Sequence, residues 1–201
     1  MTFEIVKANL ERRGFAVSCF ASAREAADYL NAAIDQTTVG IGGSVTVTQM
    51  GLYDRLATHN QVFCHALPAQ GQTPADVFSL AACAQVYLSS VNGLAETGEI
   101  VNIDGNCNRI SAMCFGHEKV YLIVGKNKIA PDYDAAVWRA RNVAAPMNAR
   151  RLNKNTPCAK EANRCYDCQS PERICRALMV FWEKPRACAF EVVLIDEELG
   201  Y

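Results

Sequence analysis

The chain lacks an excess of charge of either sign. Its 201 residues carry 20 Lys and Arg against 21 Asp and Glu, a formal net charge of −1. Nucleic-acid and membrane-surface binding both draw on a clear basic surplus, so neither is expected here. There is no apolar run approaching the ~18 residues of a membrane span, and the longest, such as Ala177 to Trp182, has the length of a strand. The N-terminal stretch reads as an amphipathic helix start with early acidic residues rather than as a signal peptide, and a cytoplasmic location is the expectation. Internal repeats and low-complexity segments are also missing. Histidine is scarce: His59, His65 and His117 stand far apart with no H-x-x-H or His-Cys pair, so a zinc hydrolase or catalytic dyad finds no support and each is expected on the surface or in the core.

What is present is a composition of 50% hydrophobic and 20% charged residues, within the range that one core serves, so residues 1–201 are expected to form a single domain. Helical and strand-like patterns alternate. Phe3, Val6 and Leu10 mark a helix, Phe15 to Phe20 a strand, and Ala23, Ala26, Ala27, Leu30 and Ile34 the face of a second helix. Strand candidates follow at 38–41, 62–64, 85–89, 100–103 and 120–124, the last a buried central strand by composition. The pattern predicts an α/β fold with an open, mostly parallel sheet and flanking helices. At the end of the chain, Leu178 to Trp182 and Phe190 to Ile195 are separated by Glu183-Lys184-Pro185-Arg186, which predicts an antiparallel hairpin at a sheet edge.

Two polar constellations interrupt this pattern. The first is the turn around Gly40, Gly42, Gly43 and Ser44, followed by Thr46. Glycine permits close backbone approach, helix-start N–H groups point outward, and the hydroxyls add donors, which together suit an anion. The turn is neither a Walker loop nor a G-x-G-x-x-G fingerprint, and a tight β–α turn that merely needs glycine is the open alternative. The second runs from Asn92 to Arg109. Its residues Asn92, Thr97, Asp104, Asn106, Asn108 and Arg109 are expected near strand ends, where open α/β sheets bind ligands. Turn chemistry accounts for about half of them. Arg109 suits a carboxylate or phosphate through paired hydrogen bonds, and Lys126, after the central strand, is a further candidate contact. The expected partner is an anionic small molecule.

Ten cysteines are unevenly spread. Cys158, Cys165, Cys168 and Cys175 are spaced C-x6-C-x2-C-x6-C inside a basic segment at about 150–176. Between Arg139 and Arg176 nine Lys or Arg face three acids. The spacing suits a four-sulfur metal site, an iron–sulfur cluster of the 4Fe-4S type being preferred over zinc, with a reduced, metal-free loop as the open alternative. Such a basic loop can equally grip an anionic ligand or partner.

These phrases together carry a family resemblance. The glycine turn, Asn-Gly-x4-Gly-x-Ile-Val-Asn-Ile-Asp-Gly-x2-Asn-Arg from Asn92, Val-Gly-x-Asn-Lys-Ile from Val124, and Ala-Ala-Pro-x-Asn-Ala-x-Arg-Leu from Ala144 occur in this order. In that, the chain resembles the LUD (lactate-utilisation, formerly DUF162) domain family from about Val39 to Tyr201. It departs at Cys107, where the family commonly has threonine or glycine. The resemblance implies a fold akin to the sugar-phosphate isomerase and CoA-transferase superfamily. It also implies, for some members, a link to L-lactate oxidation, with redox proteins as partners. In that superfamily the isomerases carry a Gly-rich phosphate loop and an Asp-Gly pair, which Gly42, Gly43, Ser44, Thr46 and Asp104-Gly105 resemble. A metal-free isomerase is therefore the alternative function, and the carboxylate base it needs has only Asp104 and Glu96 as candidates.

Overall fold

In a computed structural model of the chain, described for residues 3–68, 71–161 and 163–201, the alternating pattern becomes two sheets. In chain order the first half comprises α1 (Glu4–Arg12), β1 (Ala16–Phe20), α2 (Ala23–Ala33), β2 (Thr38–Ile41), α3 (Val45–Gln49), α4 (Leu52–Leu56), β3 (Gln61–Cys64), α5 (Pro74–Ala82) and β4 (Val86–Ser90). Then come β5 (Gly93–Ala95), β6 (Ile100–Asp104), α6 (Asn108–Cys114), β7 (Lys119–Gly125), a 3-10 turn (Lys126–Lys128), β8 (Ile129–Ala130), α7 (Tyr133–Arg139), a π-helical turn (Ala140–Ala144), α8 (Ala145–Arg151), α9 (Pro157–Glu161), β9 (Ala177–Phe181) and β10 (Ala189–Ile195).

The larger sheet has the order β1-β10-β7-β4-β2-β3, and every pair in it is parallel. Its central strands are continuous apolar runs because helices cover both faces. On β7, Val120, Leu122 and Val124 pack on one side with Leu10, Phe15 and Phe190, while Tyr121 and Ile123 pack on the other with Leu30, Val47 and Leu56. That strict alternation is the two-residue period of an extended chain. The helices answer it with their own period. Ser22 caps α2 by accepting from the Glu25 N–H, and Ala26, Ala27 and Leu30 form its buried face.

The smaller sheet, β8-β5-β6-β9, is mixed: β6 runs antiparallel to β5 and β9, and β5 parallel to β8. This overturns the expected C-terminal hairpin. β9 pairs with β6 in the small sheet, whereas β10 inserts between β1 and β7 at the interior of the large one. The link between them crosses from sheet to sheet, with Lys184 N–H donating to the Arg13 carbonyl. The near-continuous burial of β10, from Phe190 to Ile195, is the signature of an interior parallel strand and is incompatible with an edge hairpin.

Strand order also makes a crevice. Neighbouring β2 and β4 send the chain to opposite sides, toward β3 and back to β7, so their carboxyl ends are left uncovered between the diverging connections. The helical stretch from α7 to α8 passes over this region. Pro146, which has no N–H to give to the preceding turn, is the second residue of α8, one residue beyond the π-helical turn, where the backbone ladder is already widened.

Candidate functional site

The crevice opens into a cleft of about 490 Å³, a size that suits a small molecule. The carboxyl ends of the large sheet supply its floor: Gly43 and Ser44 after β2, His65 after β3, Ser90 after β4 and Lys128 after β7. Asp104, Asn106, Asn108 and Arg109 line one wall from the β6–α6 junction, and Arg151 and Lys154 another from the end of α8. Residues 171–176 of the basic segment close over the top, where a Cβ on Gly105 would meet the Ile174 carbonyl at 2.7 Å and Arg176 N–H donates to the Asp104 carbonyl.

Glycine has separate reasons at the two adjoining positions of the turn. A Cβ on Gly42 would stand 2.6 Å from the Tyr87 hydroxyl and 3.1 Å from Arg109 Cγ, so close packing demands glycine there. Gly43 faces the cleft, where a Cβ would meet only the edge of the His65 ring at 3.2 Å. Ser44 accepts from the Val47 N–H and so opens α3.

Asp104 is fully engaged by backbone. One carboxylate oxygen accepts from the Asn106 and Cys107 N–H groups and the other from Arg109 and Ile110, which fixes the start of α6. Cys107, at the position where the chain departs from the family resemblance, has φ +62°, a left-handed conformation that glycine adopts without penalty. Arg109 is similarly occupied. Its two terminal nitrogens donate to the Ser90 and Ile103 carbonyls and to the side-chain oxygens of Asn102 and Asn92, and Asp104 lies 3.9 Å from Nε. Burial draws Arg109 down from its usual value while Asp104 opposes that shift. Arg109 thus laces β4, the β4–β5 link at Asn92 and β6 together behind the cleft wall. Asn92 belongs to the same lattice, accepting from the Ile103 N–H as well.

Lys128 is the unusual group. It is 3% exposed, lines the cleft, and donates from Nζ to Thr46 Oγ1 and Ser90 Oγ, each at 2.8 Å. It has no carboxylate partner among the described residues. Burial, helped by the positive charges of Arg139 and Arg109, pulls it down to about 7. His65, whose ring lies tilted against Phe78 at 4.6 Å between centroids, is also lowered, first by burial and then by Arg151.

The cleft therefore gathers Gly43, Ser44, Asn92, Asp104, Asn106, Asn108 and Arg109 from the sequence expectations. Thr46 lies behind the lining, holding Lys128, and Gly42 packs on Tyr87. Glu96, Thr97 and Lys126 do not line it. Glu96 N–H donates to the Ala130 carbonyl, the Thr97 carbonyl accepts from Arg13 Nε, and Lys126 pairs with Asp196 at 3.0 Å. Sequence reasoning missed Lys128, His65, Ser90, Arg151, Lys154, Arg173 and Arg176. Two of these were within reach, since Lys128 and Arg151 are the cationic residues of the Val-Gly-x-Asn-Lys-Ile and Ala-Ala-Pro-x-Asn-Ala-x-Arg-Leu phrases.

The four clustered cysteines take separate places. Cys158 Sγ lies 3.3 Å from Thr156 Oγ1 in α9, Cys165 Sγ contacts Arg141 and the Asp167 N–H, and the Cys168 and Cys175 carbonyls accept from Arg173. Among the described residues no three His, Cys, Asp or Glu side chains stand close enough to hold a metal ion. The segment instead contributes its arginines to the cleft roof.

Fold and site together define an α/β protein whose parallel sheet presents a cation-lined cleft at its carboxyl edge. The chain belongs to the LUD domain family, whose sequence profile matches residues 3–195 and so includes α1, ahead of the Val39 start read from the motifs. A crystal structure of a DUF162 family protein from Deinococcus radiodurans is similar, with a TM-score of 0.48 and 12% identity over 97% of this chain and 99% of that one. No curated protein matches the chain. Among the described residues no helix is long and apolar enough to cross a membrane.

Proposed function

We propose that this LUD-domain protein binds a small organic anion, a carboxylate or a phosphate ester, in the cleft between the Gly43 turn and the basic roof, as a component of organic-acid oxidation. One observation carries the reading. Six cationic side chains line the cleft, Arg109, Lys128, Arg151, Lys154, Arg173 and Arg176, against two carboxylates. Asp104 is held by four amides and Glu172 by the Asn155 N–H, and even with Lys128 as the amine the five remaining cations outnumber them. The link to lactate and related acids comes from the family. An isomerase reading loses support because its base candidates are poorly suited: Asp104 is saturated and Glu96 lies outside the cleft.

Isothermal titration at low ionic strength with L-lactate, other small carboxylates and phosphate esters tests this. Saturable binding that weakens with salt and is lost in Arg151→Glu is expected. Absence of saturable binding by any carboxylate or phosphate ester would overturn it.

A further inference from the structure

A lysine ammonium buried without a carboxylate is costly, and shedding its proton to leave the amine relieves that cost. The hydrogen bonds of Lys128 show what is left over. Ser90 Oγ–H is committed to the Ile123 carbonyl at 2.6 Å and Thr46 Oγ1–H to the Leu199 carbonyl at 3.2 Å. Both hydroxyl oxygens must therefore accept from Nζ, which takes two of its positions. The third has no partner among the described residues, and Lys128 lines the cleft. In the ammonium that position is a proton; in the amine it is a lone pair. Arg109 and Arg139 are the charged groups whose fields reach Nζ, and both favour the amine. Each is pinned by carbonyl and amide oxygens, Arg139 by those of Asn127 and Asn92, so neither can swing away. An amine desolvated and placed beside other cations is the arrangement that activates lysine toward carbonyl carbon.

We infer that Lys128 is a carbonyl-capturing amine, and that the ligand is a small ketone or aldehyde bearing an anionic group, held by the cationic cleft while its carbonyl carbon meets Nζ. This rests on the anion-binding reading above and names the chemistry of that anion. The Nζ lone pair forms the C–N bond as the C=O π pair moves to oxygen. One proton passes from nitrogen to that oxygen to give the carbinolamine, a second is taken from solvent water as hydronium, and the oxygen leaves as water, leaving an iminium with one N–H for Thr46 or Ser90. No electrons are gained or lost, so no oxidant or reductant is needed.

The test is reductive trapping. The intact protein is incubated at pH 7 with pyruvate or, separately, dihydroxyacetone phosphate, with cyanoborohydride as hydride donor, and then digested and mapped by mass spectrometry. The expected result is a reduced adduct at Lys128, formed at least about tenfold faster than at any other lysine because a far larger fraction of it is free amine. Which probe reacts distinguishes the carboxylate source from the phosphate source. Lys128→Arg, with folding verified by circular dichroism, removes the nucleophilic amine and is expected to abolish the preferential adduct, with trapping at the remaining lysines unchanged. Probe binding by calorimetry with no preference for Lys128 in the trapping would overturn the inference and leave anion binding intact. Absence of probe binding as well as of trapping would overturn both.

Discussion

Lys128 Nζ donates to Thr46 Oγ1 at 2.8 Å although the residues stand 82 positions apart in the chain. The bond ties the 3-10 turn after the central strand to the helix that follows the glycine turn. It holds an uncharged-prone amine in the floor of the cleft, and it makes the stability of the fold depend on the protonation of one lysine.

That dependence has a definite sign. Lys128 titrates near 7 when folded against an ordinary value of 10.5, so the folded state binds the fewer protons in between. Burying the ammonium destabilises the fold fully below about pH 7, and the penalty fades as pH rises toward 10.5. Relative to wild type, Lys128→Met is expected to be most favoured at pH 6 and to have lost part, not all, of that advantage by pH 9. Urea unfolding of both proteins across that range checks it, and a difference that stays constant with pH would contradict the shifted lysine.

Gly42 and Gly43 are expected to respond differently although adjacent. Gly42→Ala drives a methyl against Tyr87 and Arg109, and should destabilise the protein by about 1–3 kcal/mol through overpacking. Gly43→Val reaches only the His65 edge, and should leave the circular dichroism spectrum unchanged while lowering anion affinity at least about tenfold. Affinity that survives Gly43→Val would make the turn purely architectural.

Arg109→Ala should act mainly on stability. Removing the guanidinium takes one donor each from the Asn92 and Asn102 side-chain oxygens and the Ser90 and Ile103 carbonyls, a loss of about 2–4 kcal/mol on the scale of hydrogen bonds to a charged group. Thermal denaturation measures it. An unchanged midpoint with affinity lost would instead make Arg109 a direct ligand contact.

The separated cysteines predict independence. Cys165→Ser and Cys168→Ser should each change stability by less than about 0.5 kcal/mol, and the double substitution should be additive. Elemental analysis of anaerobically prepared protein, with chemical denaturation of the three variants, decides the point. Stoichiometric iron or zinc, released together with stability by either single substitution, would show that the thiols do converge.

Local periodicity made much of the architecture legible. The alternation along residues 120–124 and the 3.6-residue face of Ala26, Ala27 and Leu30 are properties of a few consecutive residues, and they specified which side of each element is buried. The glycine turn was also correctly located at a strand end. Spacing alone does not say what a side chain meets. The four cysteines are regular in sequence, yet a thiol's neighbour depends on how the loop around it folds: Cys165 Sγ contacts Arg141, and Cys158 Sγ lies beside Thr156 Oγ1.

By itself, then, the sequence determined the family, the α/β class and the position of the glycine turn at a strand end, because each is written in short-range pattern. Only the tertiary structure decided that β9 and β10 part into different sheets, since sheet order depends on which strand best fills the gap between β1 and β7. Only it separated Lys126, paired with Asp196 outside the cleft lining, from Lys128, two residues on in the same 3-10 turn. Their side chains leave that turn in different directions, and the hydroxyls that receive Lys128 come from α3 and β4, brought to it by the packing of the parallel sheet.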